Sequence, residues 1–262
     1  MTRIWNRMRT GIAVILIILL MCGSVFGIWS AVDARKAYDV PALTEAELTD
    51  LDLSHAKRLM IVAHPDDETI WGGAHLSEGG YLVVCLTNGN NQTRAAEFQA
   101  VMAQSGNVGL ILSYPDKVGG KRDNWNHVQA QMKQDLELVM TYRPWERIVT
   151  HNAAGEYGHI HHKMTHQFVT EIYDTSKLDM PLYNFGKYYR AAVLPSVEST
   201  LTPVSKEALQ EKESLLTLYA SQERVVKSLS HMNPYEMWTE TRGGDWSCFP
   251  VGCGRAGCTA EF

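Results

Sequence analysis

The run Leu59-Met60-Ile61-Val62-Ala63, the turn His64-Pro65-Asp66-Asp67 and the run Tyr81-Leu82-Val83-Val84-Cys85-Leu86 decide the fold of this chain. Between the turn and the second run, residues 68–78 have helical spacing and close on Gly79-Gly80. Two short, near-continuously apolar runs joined by a helix form a βαβ unit, and strands of that kind belong to a sheet covered on both faces. The rhythm continues outward. Thr87-Asn88-Gly89-Asn90 is a loop, 94–104 a helix, Leu110-Ile111-Leu112 a strand, 126–142 a long helix, and Arg147-Ile148-Val149-Thr150 a fourth strand. A further helix begins within 159–162, a strand is predicted at 188–194 in an otherwise irregular stretch, and 206–218 is a polar-faced helix. The pattern predicts an α/β fold: a Rossmann-like, mostly parallel sheet flanked by helices.

The chain has 262 residues, 24 Lys plus Arg against 29 Asp plus Glu, and a net charge of −5. Three of the basic residues, Arg3, Arg7 and Arg9, lie in the first ten positions, which leaves 21 facing 29 and a net of −8 beyond them. An acidic body repels polyanions, so nucleic acid is excluded as a partner. Residues 11–32 follow the arginines without a charge. That length crosses a bilayer core as a helix, while its most apolar part, 12–21, also fits the shorter core of a cleaved signal peptide. Basic residues before the span favour a cytoplasmic N-terminus and an exported body. The expected organisation is a signal-anchor or signal peptide at 1–32, a polar linker at 33–55, the α/β domain at 56–230 and a Gly/Cys-containing extension at 231–262. That domain is expected to be membrane-anchored and extracytoplasmic, or secreted if the signal is cleaved. Cys248, Cys253 and Cys258 form a C-x4-C-x4-C set, open to a zinc knuckle, to a disulfide or to no role at all.

Ligands of such sheets bind beyond the carboxyl ends of the strands. Two of those ends carry metal-ligand chemistry: His64, Asp66 and Asp67 after the first strand, and Gly155-Glu156-Tyr157-Gly158-His159-Ile160-His161-His162 after the fourth. Catalytic zinc takes three ligands from His, Asp, Glu or Cys. Asp66 and Asp67 equally suit the N-terminus of the following helix as caps. The histidines shift the balance to metal binding. On a helix His159 and His162 share one face, with His161 turned away; His162 with His166 is a second pairing, and His151 adds a fourth ring near the strand end. A nucleotide-binding reading needs G-x-G-x-x-G after the first strand, where this chain has His-Pro-Asp-Asp.

Ala63-His64-Pro65-Asp66-Asp67-Glu68 resembles the AHPDDE signature of the de-N-acetylase family that includes N-acetylglucosaminyl-phosphatidylinositol deacetylase and the LmbE-like proteins. Gly155-x-x-Gly158-His159-x-x-His162 resembles its second signature. Thr87-Asn88-Gly89, Arg94 with Glu97, Tyr114-Pro115-Asp116, and Lys212 followed by Tyr219-x-Ser221-Gln222 fall in the family's order, so the likeness spans about 57–230. The resemblance implies a metal-dependent N-deacetylase acting on an N-acetylglucosamine-containing substrate. It implies zinc, or another divalent transition metal, on His64, Asp67 and His162, with Asp66 as general base and His159 facing the developing oxyanion. Arg94 and Asp116 are implied as sugar contacts. The family often has Asp or Asn two residues after the first histidine of the second signature; here His161 stands there. Amidase action on another amino-sugar conjugate and a non-catalytic metal- or glycan-binding module are the alternatives.

Overall fold

The computed structural model describes residues 35–242, together with Met21 and the backbone of Cys248 and Phe249. In chain order the elements are α1 (Glu45–Thr49), β1 (Arg58–Val62), α2 (Asp67–Leu76), β2 (Tyr81–Thr87), α3 (Gln92–Ser105), β3 (Val108–Tyr114), β4 (Lys117–Val118) and β5 (Lys121–Arg122). They continue with α4 (Gln129–Thr141), β6 (Ile148–Thr150), α5 (Ile160–Thr175), β7 (Leu182–Asn184), α6 (Leu194–Val197), α7 (Lys206–Leu216), α8 (Glu223–Leu229), β8 (Trp238–Arg242) and β9 (Cys248–Phe249).

The main sheet runs β3-β2-β1-β6-β7-β8-β9. Its first five strands are parallel, with Leu59 of β1 opposite Leu82 of β2 on one side and Ile148 of β6 on the other. β8 and β9 close the edge antiparallel. From β1 the chain builds outward to β3, then returns to β6 on the opposite side of β1. The strand order therefore switches direction between β1 and β6, and such a switch opens a crevice at the carboxyl ends of the two strands.

Alternation along the strands divides the core. Leu59 and Ile61 pack with Leu82, Val84, Leu136, Ile148 and Phe168 on one face. Met60 and Val62 pack with Val83, Cys85, Val149, Phe185 and Trp238 on the other. Both faces of the central strands are thus covered, which is why their sequences are apolar without a polar alternate. All ten residues of α2 are buried. A Cβ on Gly73 would stand 2.7 Å from the Lys212 side chain, so glycine there lets α7 cross closely.

Three stretches differ from the reading of the sequence. The described part of 33–55 is packed on the domain: Leu43, Leu48 and Leu53 join the core, Thr44 and Glu47 form a capping box on α1, and the Leu43 amide donates to buried Asp135. Its polar composition hid three leucines placed to meet one face. The strand expected at 188–194 forms instead at Leu182–Asn184, beside β6, and 188–194 is loop and turn. The extension expected from 231 begins inside the domain, because Met232 is buried and β8 completes the sheet, with Trp238 in the core. The membrane-directed segment, Met21 apart, lies outside the described residues, as do the side chains of Cys248, Cys253 and Cys258. Among the described residues, no helix is long and apolar enough to cross a membrane.

Candidate metal centre

The crevice at the β1/β6 switch is where the two sequence signatures meet. β1 ends at Val62, and the turn that follows puts His64, Asp66 and Asp67 at its mouth, all buried. Asp66 has φ +121°, ψ −30° and makes no capping hydrogen bond. That conformation is unfavourable for a residue with a Cβ and costs of order 1–3 kcal/mol. The side-chain capping role for this residue is therefore absent. Its amide donates to Glu68 Oε2 at 3.1 Å, and Glu68 Oε1 in turn accepts from Thr69 and Tyr219, each at 2.6 Å.

Asp67 is the hub of the second carboxylate. Its Oδ2 accepts the His64 amide at 2.8 Å and lies 3.0 Å from His64 Nδ1, while its Oδ1 lies 3.2 Å from His162 Nε2. His162 comes from the first turn of α5, beyond β6, and is fully buried. Behind it, Glu156 Oε2 bonds His162 Nδ1 and also His151 Nδ1, at 3.1 Å. A carboxylate only accepts, so Nδ1 of His162 carries a proton, and Nε2 is the nitrogen left to face Asp67 and to take a metal there. His162 Nε2 is buried without a hydrogen-bond partner. His151 cannot take the same part, since its Nε2 accepts the Ala63 amide at 3.0 Å.

The donor set fits a divalent metal. Zinc bound to His and Asp at about 2.0–2.2 Å holds neighbouring donors roughly 3.3–3.6 Å apart in a tetrahedron. Asp67 Oδ2 stands 3.0 Å from His64 Nδ1 and its Oδ1 3.2 Å from His162 Nε2, and the ligand atoms of the three residues all lie within 4.8 Å of one another. A carboxylate behind a ligating histidine is the usual support of such sites.

The charges separate the two aspartates. Burial, reinforced by the adjacent Asp67 charge, pushes the Asp66 carboxyl well above the usual range, with Arg94 opposing. Burial would raise Asp67 as well, but His162, His64 and His151 outweigh it and hold it well below. Neighbouring carboxyls pushed apart in this way are suited to different tasks. Burial lowers His159, with repulsion from His64 next, to about 2, so its ring is neutral. Glu156 is held at about 2 because His151 and His162 overcome its burial.

His64, Asp66, Asp67, His159 and His162 are thus brought together. The helix pairing of His159 with His162 is not how this happens. His159 is the N-cap of α5 with extended backbone, at φ −64° and ψ 129°, so it stands before the helix. Consequently His161 is not turned away: it is fully buried, its Nδ1 3.0 Å from His64 Nε2. His166 bonds the His151 carbonyl instead of pairing with His162. Arg94 and Asp116 both lie against the centre. Arg94 donates to the Pro65 carbonyl at 2.6 Å and stands 3.5 Å from Asp66; Asp116 pairs with Arg122 and lies 3.4 Å from His64 Nε2. Sequence reasoning gave no role to Glu156, Arg122 or Trp125. Glu156 had a signal, standing inside the second signature and five residues from His151; the other two had none.

A family model described as GlcNAc-PI de-N-acetylase (PIG-L) matches residues 59–173. An uncharacterized protein, L374, of Acanthamoeba polyphaga mimivirus is 31% identical over 189 residues, spanning 66% of this chain and 74% of that protein. Among solved structures, the A40926 pseudoaglycone deacetylase Dbv21 aligns with a TM-score of 0.50 at 19% identity, covering 66% of this chain and 85% of the other. The 4-carboxy-2-hydroxymuconate hydratase GalB of Pseudomonas putida KT2440 aligns with a TM-score of 0.50 at 16% identity, covering 67% and 84%. At these identities the structural likeness shows a shared fold, one that carries both a deacetylase and a hydratase, so the chemistry has to be argued from the site.

Proposed function

This chain belongs to the GlcNAc-PI de-N-acetylase (PIG-L) family, and from that premise we propose that it is a metal-dependent hydrolase that removes the N-acetyl group from an N-acetylglucosamine-containing glycan, glycolipid or glycoconjugate. The observation that carries the reading is the convergence of His64 Nδ1, the Asp67 carboxylate and the unpartnered His162 Nε2, with Asp66 beside them but held in a different electrostatic state. Zinc is the metal we assign, with other divalent transition metals able to use the same donors.

His64, Asp67 and His162 hold the metal in this reading, and a bound divalent ion would supply Lewis acidity, making water more acidic and the amide carbonyl more electrophilic. Asp66 is the general base: its carboxylate takes a proton from the attacking water and returns it to the nitrogen as the C–N bond breaks, leaving acetate and a free amine. Arg94, 3.5 Å away, favours the ionised form of Asp66 that the first step needs. His159 is neutral and its Nδ1 has no partner, which suits donation to the oxyanion of the tetrahedral intermediate; loss of one such donor typically costs about 2.7–4 kcal/mol of barrier. The basic-then-apolar N-terminal sequence supports attachment to a membrane with the domain on its extracytoplasmic side.

The test is acetate release by wild type and Asp66→Asn with bound metal measured in both. The reading expects the variant to keep its metal and lose turnover. Full activity with metal retained would overturn the base assignment.

A further inference from the structure

One ring nitrogen of His161 fixes the state of the other. Its Nε2 lies 2.8 Å from the main-chain carbonyl of Asp123. A carbonyl only accepts, so this nitrogen carries the proton and Nδ1 holds the lone pair. That Nδ1 is 3.0 Å from His64 Nε2, which therefore donates. With its proton on Nε2, His64 would offer Nδ1, the atom 3.0 Å from Asp67 Oδ2, to a metal.

The ring that imposes this order is itself held. His161 is stacked on the Trp125 indole at 4.0 Å and 11°. Trp125 donates its amide to Asp123 Oδ1 at 2.6 Å and its indole N–H to the Pro115 carbonyl at 2.8 Å. The carbonyl, the indole and the imidazole thus form one anchored unit behind His64.

Building on the metal-hydrolase reading of the site, we propose that His161 is a positioning residue that sets the tautomer of His64, so that Nδ1 is presented to the metal alongside Asp67 and His162. It does for His64 what Glu156 does for His162, through an aromatic anchor where the family pattern often has an acidic or amide side chain. The rival use of the same atoms is a second cation site made by His64 Nε2, His161 Nδ1, His159 and Asp116, whose donor atoms lie close together. Arg122 argues against it: the guanidinium pairs with Asp116, which takes up that carboxylate and sets a positive charge beside the cluster.

The experiment is zinc binding to the full chain, measured by competition with a chromogenic chelator, for wild type, His161→Leu and His161→Asn. Loss of a group supporting a ligating histidine typically weakens metal binding about 10–100-fold. His161→Leu is expected to fall in that range, whereas His161→Asn, whose amide oxygen can accept the His64 proton, is expected within a few-fold of wild type. Imidazole 15N spectra of the zinc-loaded wild type need no variant and are expected to show His64 protonated at Nε2. Equal weakening by Leu and Asn would assign the effect to packing on Trp125 and overturn the proposal. So would wild-type affinity in His161→Leu, a His64 protonated at Nδ1, or a second zinc lost with His161. A wild-type chain that binds no zinc would overturn the metal reading and this proposal together; the other outcomes leave that reading standing.

Discussion

One terminal nitrogen of Arg94 does two things: it donates to the Pro65 carbonyl at 2.6 Å and lies 3.5 Å from the Asp66 carboxylate. That nitrogen is therefore engaged inside the site, on the turn and beside the base. Among the influences on Asp66, it opposes the burial and the Asp67 charge that push the carboxyl upward.

Arg94→Met follows from this. A base works only when deprotonated, so activity falls as the pH drops through its pKa; removing the opposing cation raises that pKa further. The acid limb of the kcat profile is expected to move to higher pH, with KM little changed. A rise in KM with an unmoved limb would return Arg94 to the role of sugar contact.

Asp66→Gly separates strain from chemistry. Glycine occupies positive φ without the cost borne by aspartate. Net of its extra chain entropy, the substitution is expected to raise unfolding stability by about 1 kcal/mol while abolishing acetate release. Urea unfolding and turnover of the same preparation check both, and a destabilised variant would show that the conformation is not strained.

The sequence made legible what depends on periodicity and on short motifs. The βαβ rhythm located β1, β2 and β6, because strands buried on both faces are apolar throughout. His64, Asp67 and His162 were readable because their motifs are local. What sequence could not show is contact between distant side chains: Arg94 reaching Pro65, Trp125 reaching His161, or Glu236 reaching α2. His161 was misplaced for a local reason, because the histidines were assigned to one helix whereas His159 lies before its first turn. The leucines of 43–53 were hidden by their acidic neighbours.

Glu156→Leu removes the acceptor shared by His151 and His162. With Nδ1 of His162 no longer held as the proton donor, zinc affinity is expected to fall about 10–100-fold. Chelator competition measures it, and unchanged affinity would detach Glu156 from the metal site.

Away from the site, the Glu236 carboxylate is fully buried on Lys212 Nζ at 2.7 Å, His75 Nδ1 at 2.9 Å and the amides of Ala74 and His75. Burial would raise it, but these partners, led by Lys212, hold it at about 2, well below the ordinary glutamate range. A depressed carboxylate stabilises the fold above its unfolded pKa, and that contribution is lost as pH falls from about 4.5 through about 2, on the order of 3 kcal/mol in all. Glu236→Gln is expected to destabilise by about 3–5 kcal/mol at neutral pH, since Lys212 is left unpaired. Its deficit relative to wild type should shrink across that acid window. Urea unfolding of both proteins at pH 7, 4.5 and 3 checks this, and a deficit independent of pH would contradict it.

The most direct measurement is acetate released from a GlcNAc-containing substrate by metal-stripped full-length chain as zinc is added back, with His162→Ala in parallel. Release is expected to climb with zinc and saturate at one ion per chain, with none from the variant at the same concentrations. Equal release from the metal-stripped chain, or from His162→Ala, would contradict it.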